Sequence, residues 1–132
     1  MSPPRVVINT IEVPVNDLPR AVAWYRDALG FTSAWTDQHH AVLGLSGGGL
    51  QLLLVETEDL SRLAFQSTHT GIQHSVVDFR AEDLEGLHAH LAAMGTKVGP
   101  LASEAKGWAP RGFAFADPSG NRLAAFSSGP RL

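Results

Sequence analysis

The chain has 132 residues, 44% hydrophobic and 17% charged, with a formal net charge of -3. That length buries a real core in one domain or in two small halves that share one. The acidic balance offers no basic field for nucleic acid. The absence of cysteine excludes disulfides, thiolate metal sites and thiol nucleophiles. No apolar run approaches the ~20 residues of a bilayer span, and Met-Ser-Pro-Pro-Arg lacks the apolar core of a signal peptide. The expected location is cytoplasmic, with neither membrane nor nucleic acid as partner.

Val6 to Val15 alternates as a strand, with Ile11, Val13 and Val15 on one face and Thr10, Glu12 and Pro14 on the other. Pro14 has no N–H and needs an edge or an unpaired position. Asn16-Asp17 offers an N-cap, Pro19 fits a first helical turn, and Leu18, Val22, Tyr25 and Leu29 recur at helical spacing up to Gly30. Phe31 to Trp35, Ala41 to Leu45 and, after Gly47-Gly48-Gly49, Leu50 to Val55 read as strands. The first half is thus β-α-β-β-β.

Glu56 to Thr70 has no clear period and reads as a connector, with one helical turn around Leu60 to Phe65 as an option. Ile72 to Phe79 then reads as a strand, with Val77 and Phe79 on one face and His74, Val76 and Asp78 on the other. Leu84, Leu87, Leu91 and Met94 mark a second helix, ended by Gly95. Thr96 to Leu101 reads as a short strand. Gly112 to Ala116 and Arg122 to Phe126 read as a closing hairpin around Asp117-Pro118-Ser119-Gly120, which suits a type I turn. The order is again β-α-β-β-β.

This is an internal repeat of pattern. Asp17-Leu18 matches Asp83-Leu84, Leu29-Gly30 matches Met94-Gly95, and Gly49 to Val55 lies over Gly120 to Phe126. The expected fold class is α+β: one domain over residues 1–132, built of two βαβββ modules at roughly 1–58 and 70–132 with a connector at 59–69. A sheet with one helix buries one face and leaves the other unfilled. Two such sheets side by side form a cupped mixed sheet, a natural ligand cavity.

Three stretches carry a resemblance: Ile11-Glu-Val-Pro-Val-Asn-Asp-Leu18, Ala23-Trp-Tyr-Arg-Asp-Ala-Leu-Gly-Phe31 and Phe115-Ala-Asp-Pro-Ser-Gly-Asn121. They resemble the strand–Asp-Leu start, the FYRDxLGF helix end and the DPxGN hairpin of the vicinal oxygen chelate superfamily, which includes glyoxalase I, bleomycin-resistance proteins and extradiol dioxygenases. The resemblance covers nearly the whole chain and implies the glyoxalase/bleomycin-resistance fold. It implies no single activity, because that fold hosts many. The superfamily's metal enzymes take His or Glu ligands from four strand positions. Here these fall on Thr10, Leu53 (or Gln51 in a slipped register), His74 and Ala124. Only His74 is a good ligand, against the three or four that zinc or non-haem iron requires. No metal site and no cofactor are therefore expected.

His74 on the open face is a candidate general base or polar anchor, with Glu12 as its tentative catalytic partner. Each is equally read as a half-buried or edge polar residue. His39 and His40, adjacent in a polar connection, point oppositely and cannot share a metal. His88 and His90 are expected to face solvent, and His69 carries no argument. Trp35 and Trp108 stand where aromatic walls would hold a flat ligand, or where a hairpin or a dimer packs. Gly107-Trp108 with Arg111 resembles the superfamily's mobile loop before the last hairpin. Trp24 is available to a partner subunit and Tyr25 belongs to the helix core.

Phe113 and Phe115 share a face that depends on the turn. Without a bulge they line the cup beside Ala124. With a bulge at Gly120 they pack against a helix.

The combined reading is a homodimeric, metal-free binding or resistance-type protein that sequesters a small apolar or aromatic molecule. Its expected lining is Thr10, Gln51, Leu53 and Val55 from the first half and Ala124 and Phe126 from the second, with Trp35, Trp108 and Arg111 at the rim. The alternatives are a metal-free isomerase, cyclase or lyase using His74 and Glu12, a metalloenzyme or dioxygenase with a shifted site, and a protein acting only through dimer-mediated interactions.

Overall fold

The computed structural model describes residues 2–107 and 109–128. The chain divides into two compact units, one up to Glu58 and one from Asp59 onward. No helix among the described residues is long and apolar enough to cross a membrane.

The first unit contains β1 (Thr10–Val15), α1 (Leu18–Leu29), β2 (Thr32–Thr36), β3 (His40–Gly44) and β4 (Gln51–Glu56). The sheet order is β1-β4-β3-β2, with β1 parallel to β4 and the other pairs antiparallel. Pro14 therefore sits in an edge strand, where a missing N–H is tolerated. β1 starts at Thr10 rather than Val6. Its neighbour β4 begins at Gln51, so the ladder offers residues 6–8 no partner, and Val6, Val7 and Ile8 are exposed.

Asp17 caps α1 by accepting from the Arg20 N–H at 3.1 Å, and Glu56 reaches back from β4 to accept the Leu18 N–H at 2.8 Å. The buried stripe of α1 is Leu18, Ala21, Tyr25 and Ala28, one step round from the expected Val22 and Leu29. The small alanines allow close approach to β3 and β4, where Ala41, Leu43, Leu52 and Leu54 are buried. Tyr25 is fully buried and meets the rings of Trp24 and Phe31 edge-on at 4.9 and 5.8 Å.

The second unit contains β5 (Phe65–Gln66), β6 (Gln73–His74), β7 (Val77–Arg80), α2 (Leu84–Ala93), β8 (Gly112–Ala116) and β9 (Arg122–Phe126). β5 and β6 form a two-stranded ladder, and β7-β9-β8 a three-stranded sheet with β7 parallel to β9. No helical turn forms around Leu60 to Phe65; that stretch enters β5 instead. The single strand expected over Ile72 to Phe79 is broken at Ser75-Val76, where the Ser75 hydroxyl donates to the Asp78 carboxylate at 2.5 Å. Thr96 to Leu101 lies along β8, through Ala116 N–H to Lys97 O at 3.1 Å and Gly99 N–H to Ala114 O at 2.7 Å, with one bridge at Val98–Phe115. It is not a regular strand, because Pro100 cannot continue the ladder.

The turn at Asp117 decides the hairpin register. Gly120 takes φ 93°, the Asp117 N–H binds the Asn121 carbonyl, and Phe115 pairs with Leu123 rather than Arg122. This is the bulged alternative. Phe113 and Phe115 are consequently buried with Val77, Leu123 and Ala125 on the face that meets α2.

Candidate functional site

The register of each sheet sorts the candidate residues. In the first unit Thr10 lies opposite Gln51, Glu12 opposite Leu53 and Pro14 opposite Val55, while Val42 pairs with both Leu53 and Trp35. Directly paired residues and their i±2 neighbours share a face. Thr10, Glu12, Gln51, Leu53, Val55 and Trp35 are therefore together on the face away from α1. Gln51, Leu53 and Val55 are half-buried, and Glu12 and Trp35 are exposed.

In the second unit the corresponding face carries Asp78 opposite Ala124, Ala114 opposite Ala124, and Ala116 opposite Arg122, with Phe126 two residues beyond Ala124. A cavity of about 440 Å³ opens over this face, within the range of small-ligand sites. Ala124, Phe126, Asp78 and Arg122 line it from the sheet, and Gln73 and His74 from β6. The small side chains Ala114 and Ala124 and the bare backbone of Gly112 leave the room.

His74 is held by its ladder partner. It pairs with Phe65 across β5–β6, and the two rings stack at 5.2 Å with planes 13° apart. The imidazole is half-buried with one face against a phenyl ring. His74 thus belongs to one cavity with Ala124 and Phe126, while Thr10, Glu12, Gln51, Leu53, Val55 and Trp35 belong to the sheet of the other unit. Trp108 lies outside the described residues.

Arg111 does not line the cavity. Its Nε donates to the Ala102 carbonyl at 2.8 Å and its Nη2 pairs with Glu85 on α2, so it ties the loop before β8 to the helix. His88 corrects the expectation of a solvent-facing side chain. It is half-buried, its Nε2 lies 2.9 Å from the Gly99 carbonyl, and its ring meets Phe113 edge-on at 4.8 Å. The available signal for its burial was that it stands four residues after Leu84 and three before Leu91, beside the buried stripe.

His39 Nδ1 lies 3.2 Å from Glu56 Oε1, and His40 Nδ1 lies 2.9 Å from Asp37 Oδ1, so the two histidines serve different carboxylates. Three further residues of the site were missed from the sequence. Asp78 stands five residues before the cap Asp83, as Glu12 does before Asp17. Arg122 is two before Ala124. Phe65, which stacks on His74, fell inside a connector without period.

Of the positions expected to carry metal ligands, Thr10, Leu53 (or Gln51) and Ala124 offer neither imidazole nor carboxylate, His74 lies on the β5–β6 ladder, and one imidazole among such side chains does not make a zinc or iron site. Among the described residues, no three His, Asp or Glu side chains gather into a metal-binding cluster. The donor set does not fit the metal of the superfamily's enzymes.

Each unit combines one helix with a mixed sheet, four-stranded in the first and three-stranded beside a two-stranded ladder in the second, which defines an α+β protein. The family model described as Glyoxalase/Bleomycin resistance protein/Dioxygenase superfamily matches residues 7–125, and the chain belongs to that superfamily. The YraH protein of Bacillus subtilis (strain 168) is 24% identical over 117 residues, covering 86% of this chain and 91% of that one. TnmS3, an antibiotic binding protein from Streptomyces sp. CB03234, superposes with a TM-score of 0.71 at 20% identity, covering 96% and 98% of the two chains. The fosfomycin resistance protein FosX of Listeria monocytogenes, complexed with Mn(II) and a sulfate ion, superposes at 0.69 with 13% identity, covering 93% and 90%. At these identities the likeness shows the glyoxalase/bleomycin-resistance fold.

Proposed function

We propose that this protein binds a small, largely apolar or aromatic molecule without a metal, and that it sequesters that molecule in a resistance-type role as a cytoplasmic homodimer. The observation that carries the reading is Ala124. It lines the 440 Å³ cavity, and the resemblance gives its position a carboxylate ligand in the superfamily's metal enzymes. A methyl group there adds apolar volume and contributes no donor. The fold is shared with an antibiotic binding protein, which supports the binding reading.

A second reading, an enzyme using acid–base chemistry at His74, is favoured by the presence of His74 and Asp78 in the lining of one cavity. Glu12, its expected partner, stands on the sheet of the first unit. A thermal-shift screen against antibiotics and aromatic metabolites tests both, because a ligand of the native state raises the unfolding temperature by mass action. Sequestration predicts hits that Ala124→Phe abolishes and that are recovered unchanged. Turnover of a hit, lost in His74→Ala, would replace sequestration by catalysis.

A further inference from the structure

A second cavity, of about 640 Å³, abuts the one over Ala124. The two share Gln73, Ala114 and Arg122 in their walls. Their charges are arranged differently. The first holds the Asp78 carboxylate and Lys106 beside Ala124 and Phe126. The second contains Lys97 and no carboxylate. Arg122 stands where they meet.

The position of Arg122 is fixed by its backbone. Its N–H donates to the Leu63 carbonyl at 3.0 Å, and it pairs with Ala116 on the face that also carries Ala124. It is half-buried, while Lys97 is exposed. Among the described residues, neither cation takes part in a salt bridge. Two positive side chains thus line one cavity of a protein whose net charge is -3. A guanidinium beside apolar wall attracts an anion more strongly than one in open water, and its planar fork matches an oxyanion.

We infer that the site takes an amphipathic organic anion. An aromatic or apolar body lies against Ala124 and Phe126, and a carboxylate or sulfonate reaches Arg122 and Lys97. The direction follows from the contrast between the cavities: the second offers Arg122 and Lys97 with no carboxylate, whereas in the first the Asp78 carboxylate opposes an anion and offsets Lys106. This rests on the small-molecule-binding reading above and adds the charge and orientation of the ligand.

The test uses two fluorescent probes with one ring system. 8-Anilinonaphthalene-1-sulfonate carries the anion, and N-phenyl-1-naphthylamine lacks it. The wild-type protein should bind the sulfonate about tenfold more tightly. Arg122→Gln should reduce sulfonate affinity about fivefold and Lys97→Gln about twofold, the exposed lysine counting less. Each should weaken the sulfonate more than the neutral probe, and unfolding temperatures near that of wild type show that the variants fold. Ala124→Phe should weaken both probes.

Equal wild-type affinity for the two probes would overturn the anion inference and leave the sequestration reading standing. An undiminished sulfonate preference in the Arg122→Gln/Lys97→Gln double variant would also overturn it. Binding of both probes unaffected by Ala124→Phe would place them elsewhere and overturn it too. Binding of neither probe would remove the apolar-cavity reading together with the inference.

Discussion

Asn121 is bound to Asp117 across the tip of the last hairpin, its Nδ2 donating to Asp117 Oδ2 at 2.8 Å, with both side chains buried. The same Asp117 accepts the Ser119 and Asn121 N–H groups through Oδ1, and Asn121 Oδ1 accepts the Leu63 N–H at 2.9 Å. The Asp and Asn of the DPSGN stretch are thus the fasteners of the turn and of the segment leading to β5. Replacing Asn121 with Ala leaves the Leu63 N–H and one Asp117 oxygen without this partner. Such loss should cost about 2–3 kcal/mol, read as a lower urea midpoint with unchanged slope. A change below ~0.5 kcal/mol would show that water replaces the amide at no cost.

Gly112 permits the close approach of β8 to β9. A Cβ there would stand within 2.5 Å of Phe126 Cδ1 and closer still to the Ala125 carbonyl oxygen. Gly112→Ala must therefore displace backbone or turn Phe126 into the cavity. It should destabilise the protein by about 1–3 kcal/mol and weaken ligand binding as well. Full stability by thermal unfolding together with intact binding would contradict the tight packing.

Ala124→Phe separates the cavity from the fold. The side chain faces the cavity, opposite Asp78 and Ala114. Small-molecule binding should fall at least about tenfold in a protein that still folds, with the unfolding free energy lowered by no more than about 1–3 kcal/mol because the new ring enters the cavity. Retained affinity in calorimetric titration would mean that the ligand sits elsewhere.

Glu56 gives an acid-sensitive contact at the start of α1. Its pKa lies below the usual glutamate range, first because it accepts the Leu18 N–H and then because of the hydrogen bond from His39. A depressed folded pKa means that the folded state favours the ionised carboxylate. Its stabilisation is complete above the unfolded pKa of ~4.3 and is lost as pH falls through the lower folded value. Glu56→Gln should therefore be less stable than wild type near neutrality, and the gap should close on acidification below about pH 4. Urea midpoints of the pair across that range check it; a gap that stays constant would show that the charge plays no part.

The caps, periods and turn residues were legible in the residues because they act locally. Asp17, Gly30, Asp83 and Gly95 bound α1 and α2 through backbone groups within a few positions. The period-2 spacing of Gln51, Leu53 and Val55 likewise put these three side chains on one face of β4. What the sequence left open was pairing. One left-handed residue, Gly120, decided that Phe113 and Phe115 pack toward α2 while Ala114 and Ala124 face the cavity. The role of His88, the stacking of His74 on Phe65, and the place of Arg122 between two cavities depend on contacts between segments distant in the chain. Those contacts follow from which strand lies beside which, and period-2 and period-3.6 patterns do not encode that choice.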